Sequence, residues 1–119
     1  HFRLRAPLAA NVNDKGCAVG GSLCSLMTLA AWGLVYLELV QQGIEADIFV
    51  ADSRVRYLKP VFEDLDVDGC FDDAGERAAL MDALRRQGRA SIRLQARTLL
   101  ADGGAAATFV GRYVASARR

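Results

Sequence analysis

The sequence predicts an α+β domain in which an antiparallel sheet wraps around one long central helix. Three observations carry that prediction. The segment from Ser22 to Gln42 is apolar around its whole circumference, with Glu38 as its one charged side chain, so a helix made from it has no polar face to turn toward water and demands burial. Most of the remaining chain alternates or clusters in the way strands do, above all Asp47 to Pro60, Ala90 to Leu100 and Ala105 to Ala117. Only one further helix is expected, and it is amphipathic, so the wrapping has to come from the strands.

Taken in order, Phe2-Arg3-Leu4-Arg5 alternates and reads as a first strand that Pro7 ends. A polar, glycine-marked loop from Asn11 to Gly16 then runs through Gly20-Gly21 into the long helix, which Gly43 stops from a C′ position. In Asp47–Pro60 a strict period of two puts Phe49, Ala51, Ser53, Val55 and Tyr57 on the helix side. The same period puts Ile48, Val50, Asp52, Arg54 and Arg56 together on the other. Leu65 to Phe71 is a short strand, and Asp72-Asp73 supplies the N-cap of a helix from about Gly75 to Gln87 with Ala79, Leu80, Ala83 and Leu84 as its apolar stripe. Arg85-Arg86 complement that helix's C-terminal dipole, and Gly88 ends it. The last two strands are joined by Ala101-Asp102-Gly103-Gly104, where Asp-Gly is a strong hairpin signal. This order is that of the hotdog architecture. A sandwich with the helix on one face is the competing arrangement, and it leaves the missing polar side of the helix unexplained.

At 119 residues, 52% hydrophobic, 24% charged and net charge +1, the chain reads as one domain spanning 1–119. The near-neutral balance gives no electrostatic case for nucleic acid. The apolar segment has the length of a bilayer span, but Ser22, Ser25, Thr28, Gly33, Glu38 and Gln41 interrupt it, so no membrane partner is expected, and the loop before it is not the basic start of a signal peptide. The opening on His1 rather than methionine suggests that part of the first strand lies upstream. Cys17, Cys24 and Cys70 are odd in number and lack CxxC spacing, which points to free thiols in a reducing compartment, the cytoplasm. His1 is the one histidine. Histidine-dependent nucleophilic catalysis and a histidine-containing zinc site therefore lack their ligands, and no metal is expected.

Asn13, Gly16, Gly20 and Gly21, the apolar helix behind them, and Val55-Arg56-Tyr57-Leu58-Lys59-Pro60 resemble the acyl-CoA thioesterases of the hotdog superfamily. More closely, Ala6 to Asn11, Gly20 to Leu23, Ala31-Trp32-Gly33-Leu34 and Tyr57 to Val61 resemble the YiiD C-terminal-type thioesterase domains, with Gly88-Arg89-Ala90 and Gly111-Arg112-Tyr113 also typical. The resemblance implies hydrolysis of an acyl thioester carried by coenzyme A or acyl-carrier protein, with no cofactor apart from the coenzyme A of the substrate. In a single hotdog sheet the long strand from Asp47 to Pro60 is left with unpaired backbone groups, so edge-to-edge pairing into a homodimer is expected, and such dimers can stack into a tetramer.

In hotdog thioesterases a backbone N–H at the helix start polarises the carbonyl, a loop amide places the reactants and a helix carboxylate activates water. These roles fall on Gly20 or Gly21, on Asn13 and on Thr28. The last is a departure, since a threonine can orient or relay but is a poor base. A strand hydroxyl found in some members falls on Val50, a second departure. Asp52, on the face shared with Val50 and within reach of the neighbouring subunit's helix start in a hotdog dimer, is the replacement carboxylate, its bland alternative being a salt bridge to Arg54 or Arg56. Asp14 can also serve, though turn chemistry explains it as well. Glu38 is expected to be a paired core carboxylate. Asn11 either contacts substrate or shapes the loop, and Arg54, Arg56 and Lys59 are candidates for the coenzyme's phosphates. A non-catalytic acyl-thioester binding or regulatory module is the alternative function, and a hotdog dehydratase is disfavoured because its loop histidine is absent.

Overall fold

The computed structural model describes residues 1–11, 16, 18 and 20–118. Strand β1 (Phe2–Ala6) and a short 3-10 turn (Leu8–Ala10) lead to helix α1 (Gly20–Gln41), strands β2 (Ala46–Tyr57) and β3 (Leu65–Phe71), helix α2 (Ala74–Gln87) and strands β4 (Arg89–Leu99) and β5 (Ala105–Ala117). All five strands form one antiparallel sheet in the order β1-β3-β4-β5-β2. Helix α1 lies across one face of it. This is the hotdog fold.

Small residues set how deeply α1 sinks into the sheet. A Cβ added at Gly69 on β3 would stand 3.0 Å from the backbone carbon and oxygen of Ala30, so the strand and helix backbones touch where neither has bulk. Around that crossing Met27, Ala30, Ala31 and Val35 are fully enclosed together with Val67, Leu94 and Phe109. Both ends of the helices follow the sequence. After α1, Ile44 N–H donates to Leu39 C=O and Gly43 N–H to Val40 C=O, with Gly43 at φ +69°, the Schellman pattern that only a residue without a Cβ adopts easily. Asp73 caps α2 through Gly75 N–H at 3.0 Å, and Gly88 closes it. The buried stripe of α2 is Leu80, Met81 and Leu84, while Ala79 faces water.

Two expectations are corrected. The helix is not enclosed all round within one chain, because Leu29, Tyr36, Leu37 and Val40 remain between 43% and 55% exposed. Leu29, Tyr36 and Val40 form a strip on the face of the helix turned away from the sheet, and Leu37 lies a quarter turn round from it, on the flank where Gly33 packs against Phe2 of β1. Half of the helix's most apolar window is nevertheless packed inside the domain, the pattern of a core helix. The second correction concerns β2, whose alternation is broken. Val50 pairs with Tyr113 and Asp52 with Arg112, leaving Ala51 as an extra residue in a bulge. Directly opposed residues share a face, so Ile48 and Val50 look toward α1 with Tyr113, whereas Phe49 sits opposite Val114 on the outer face. Beyond the bulge the phase is reversed: Ser53, Val55 and Tyr57 look inward and Asp52, Arg54 and Arg56 outward.

Candidate active site at the start of the long helix

Three features meet along the β2 side of α1. The first is the helix start, where Gly20 opens the helix and its early backbone N–H groups have no partner within it. A Cβ at Gly21 would meet nothing within 4 Å, so the approach to that peptide is open. The second is an apolar groove of about 670 Å³ lined by Cys24, Ser25, Thr28, Leu29, Trp32, Ile48, Phe49, Val50 and Tyr113. Trp32 stacks on Tyr36 at a centroid distance of 4.9 Å along its far end. The third is a smaller recess of about 320 Å³ under the end of β2, lined among others by Gly20, Tyr57, Leu58 and Lys59.

Two of the hydroxyls in the groove, those of Thr28 and Tyr113, are already committed. Thr28 Oγ1 donates to Cys24 C=O at 2.8 Å, the i−4 bond that helical threonines favour, so toward the groove it offers only lone pairs. Tyr113 donates to Thr28 C=O at 2.6 Å. Burial, with a smaller contribution from Cys24, raises the Tyr113 pKa well above the ordinary phenol value, so this group stays protonated and cannot serve as a base. Cys24 is a half-buried free thiol facing the same space.

No Asp or Glu lines this groove among the described residues. Asp52 is on the opposite side of the sheet, where its Oδ2 accepts from Arg112 Nε and Nη2, each at 3.0 Å. The shared face with Val50 that favoured it as the base therefore does not exist, and its salt-bridge partner is Arg112 rather than Arg54 or Arg56. Glu38, 7% exposed in the C-terminal half of α1, is held by Arg77 Nε at 2.8 Å, the paired core carboxylate that was expected. Asn11 shapes its turn: its side chain donates to Pro7 C=O and its N–H to Leu8 C=O. Arg54 and Arg56 face outward, Arg54 sharing a shallow concavity with Asp52, Arg93 and Arg112, while Lys59 stays beside the helix start. Asn13, Asp14 and Cys17 lie outside the described residues.

The site thus unites Gly20, Gly21 and Thr28 but separates them from Asp52. Two tyrosines that the sequence analysis left without a role belong to it. Both stand in stretches that carry the resemblance, and an inward-facing tyrosine opposite the helix was the available signal; the register of β2 against β5 that places them was not.

A hotdog sheet with an apolar groove ending at a glycine-opened helix start defines an acyl-handling class of domain. The chain matches the family described as "Putative thioesterase (yiiD_Cterm)" over residues 1–117, and it belongs to that family. Among solved structures it is similar to a protein of unknown function from Chlorobaculum tepidum TLS, with 30% identity, TM-score 0.89 and coverage of 98% of this chain and 76% of that one. It is also similar to the "putative thioesterase" of Shewanella oneidensis, with 32% identity, TM-score 0.84 and coverage of 96% and 76%. A Bacillus halodurans protein solved with CoA shares the fold at 18% identity and TM-score 0.72, with coverage of 96% of this chain and 67% of that one.

Proposed function

We propose that this domain is an acyl-CoA or acyl-carrier-protein thioesterase, working in the cytoplasm as a homodimer. The observation that carries the reading is the open Gly21 peptide, one helical turn before Ser25 on the face of α1 that lines the apolar groove. An acyl chain lying along Leu29 and Trp32 puts its thioester carbonyl at the helix start, where N–H groups without an intrahelical partner and the helix dipole favour the developing negative charge. Water adds to the carbonyl carbon, the C–S bond breaks, the carrier leaves as its thiol and the acid is released. Thr28 Oγ1 accepts a hydrogen bond from that water and orients it. Asn13, seven residues before Gly20 in the chain, places the reactants. With Asp52 turned to the outer face, we assign the water's proton to Asp14, the carboxylate of the same loop. Lys59 meets a phosphate of coenzyme A.

The second reading, an acyl-thioester binding module without turnover, is favoured by the absence of a carboxylate from the groove among the described residues. One experiment separates the two. Trp32 is the chain's one tryptophan and lines the groove, so its fluorescence reports binding of acyl-CoA while thiol detection reports release of CoA. Binding with turnover is the expected result. Saturable binding without thiol release across chain lengths, on coenzyme A and carrier protein alike, establishes the module instead.

A further inference from the structure

We infer that Tyr57 is a positioning residue that fixes the peptide carrying the oxyanion donor. The inference rests on the thioesterase reading for its catalytic consequence, but its structural part stands without it. Tyr57 is the last residue of β2 and looks inward opposite Ala107. Its backbone is pinned from behind, because Leu58 N–H and Lys59 N–H both donate to Ala106 C=O, at 2.8 and 3.0 Å. From this fixed base the phenol O–H donates to Gly20 C=O at 3.0 Å.

That carbonyl belongs to the planar unit whose other end is the Gly21 N–H. In a trans peptide the C=O and the N–H leave opposite edges of one plane, and rotation about the C–N bond is barred. A bond that holds the Gly20 oxygen therefore also sets where the Gly21 hydrogen points. The first turn of a helix needs such help, since its peptides lack the full complement of intrahelical bonds and glycines restrain them least.

The two glycines have different surroundings, and the difference supports this division of labour. A Cβ at Gly20 would lie 3.5 Å from the Tyr57 ring, in ordinary contact, whereas at Gly21 it would enter empty space. The ring covers one flank of the helix start and leaves the other to the ligand. Without the phenolic hydroxyl the packing of the ring remains, and only the restraint on the peptide plane is lost.

Tyr57→Phe tests this with two readouts. In ligand-free protein, backbone ¹⁵N relaxation and amide exchange should show the Gly21 N–H losing order and exchanging faster while β5 amides are unchanged. In turnover, kcat should fall about tenfold with KM within about twofold, less than the 10²–10³ typical of removing an oxyanion donor outright. The carbonyl stretch of a bound ¹³C-labelled ketone analogue of acyl-CoA should move to higher frequency in the variant, because its oxygen is polarised less. An unchanged Gly21 amide in Tyr57→Phe overturns the inference, whatever the kinetics. An inert wild type with a disordered Gly21 amide in the variant sinks the thioesterase reading and leaves the positioning role standing. Equal losses in kcat and in the denaturation midpoint, with the Gly21 amide as ordered as in wild type, also overturn it, because they describe packing alone.

Discussion

Tyr113 joins the sheet to the helix through one proton, and that proton makes stability depend on pH. Buried at 1% exposure, the phenol is favoured in its neutral, donating form, so its folded pKa lies above the ordinary value of about 10. A raised acid pKa means that the stabilisation is fully present below about pH 10 and is lost as pH rises above it. Tyr113→Phe should cost about 1 kcal/mol at neutral pH and flatten the loss of stability above pH 10, measured by urea unfolding across pH. The same scale decides the proton acceptor. Asp52→Asn should weaken a surface pair and leave kcat within about twofold, since an exposed ion pair contributes about 0–1 kcal/mol. Asp14→Asn should lower kcat by 10² or more, on the order of what a general base contributes. The opposite ranking returns the role to Asp52. The glycines and Thr28 were legible in the sequence because a helix start is a local feature. The face on which Asp52 lies was not, because a single inserted residue decides it.

Element by element, local signals survived and non-local ones failed. Gly43 and Gly88 end their helices as read, and Asp73 caps α2, because caps depend on a few neighbouring residues. The Ala51 bulge has no comparable mark: Val50, Ala51 and Asp52 continue a plausible alternation, and only the pairing with Tyr113 and Arg112 shows the extra residue. The exposed strip on α1 escaped for a related reason, as the length of apolar helix that one sheet covers is a property of the sheet. Two element-level tests follow from the contacts. Gly69→Ala drives a methyl to 3.0 Å from the Ala30 backbone and should cost about 1–3 kcal/mol as overpacking. The pair joining the two helices should respond unequally. Arg77→Met strands the buried Glu38 carboxylate and should cost on the order of 3 kcal/mol, whereas Glu38→Gln leaves a half-exposed guanidinium that water can solvate and should cost less.

On the scale of the molecule, two unfinished surfaces coincide. Strand β2 is an edge of 12 residues with one flank of backbone N–H and C=O groups unpaired in the sheet. Near it runs the exposed apolar strip of Leu29, Tyr36 and Val40 along α1, and the groove of the candidate site opens between the two. A second copy related by a two-fold axis satisfies both at once: antiparallel pairing of β2 with β2 completes the ladder, and the two α1 strips come together over the grooves. Stacking two such dimers back to back is a different matter. The outer face near this edge carries Arg54, Arg56, Arg93 and Arg112 against Asp52, while Asp47 on the same face of β2 is taken up by Arg118, and Arg93 lies directly opposite Arg112, so like charge predominates and two copies of it repel. Light scattering at micromolar concentration should therefore give twice the chain mass, without a tetramer at low salt. Replacing both Leu29 and Tyr36 by lysine should yield a folded monomer with unchanged far-ultraviolet dichroism and without turnover, because the groove loses its cover. A wild-type monomer at that concentration overturns the pairing, and a stable tetramer at low salt overturns the argument from the arginines.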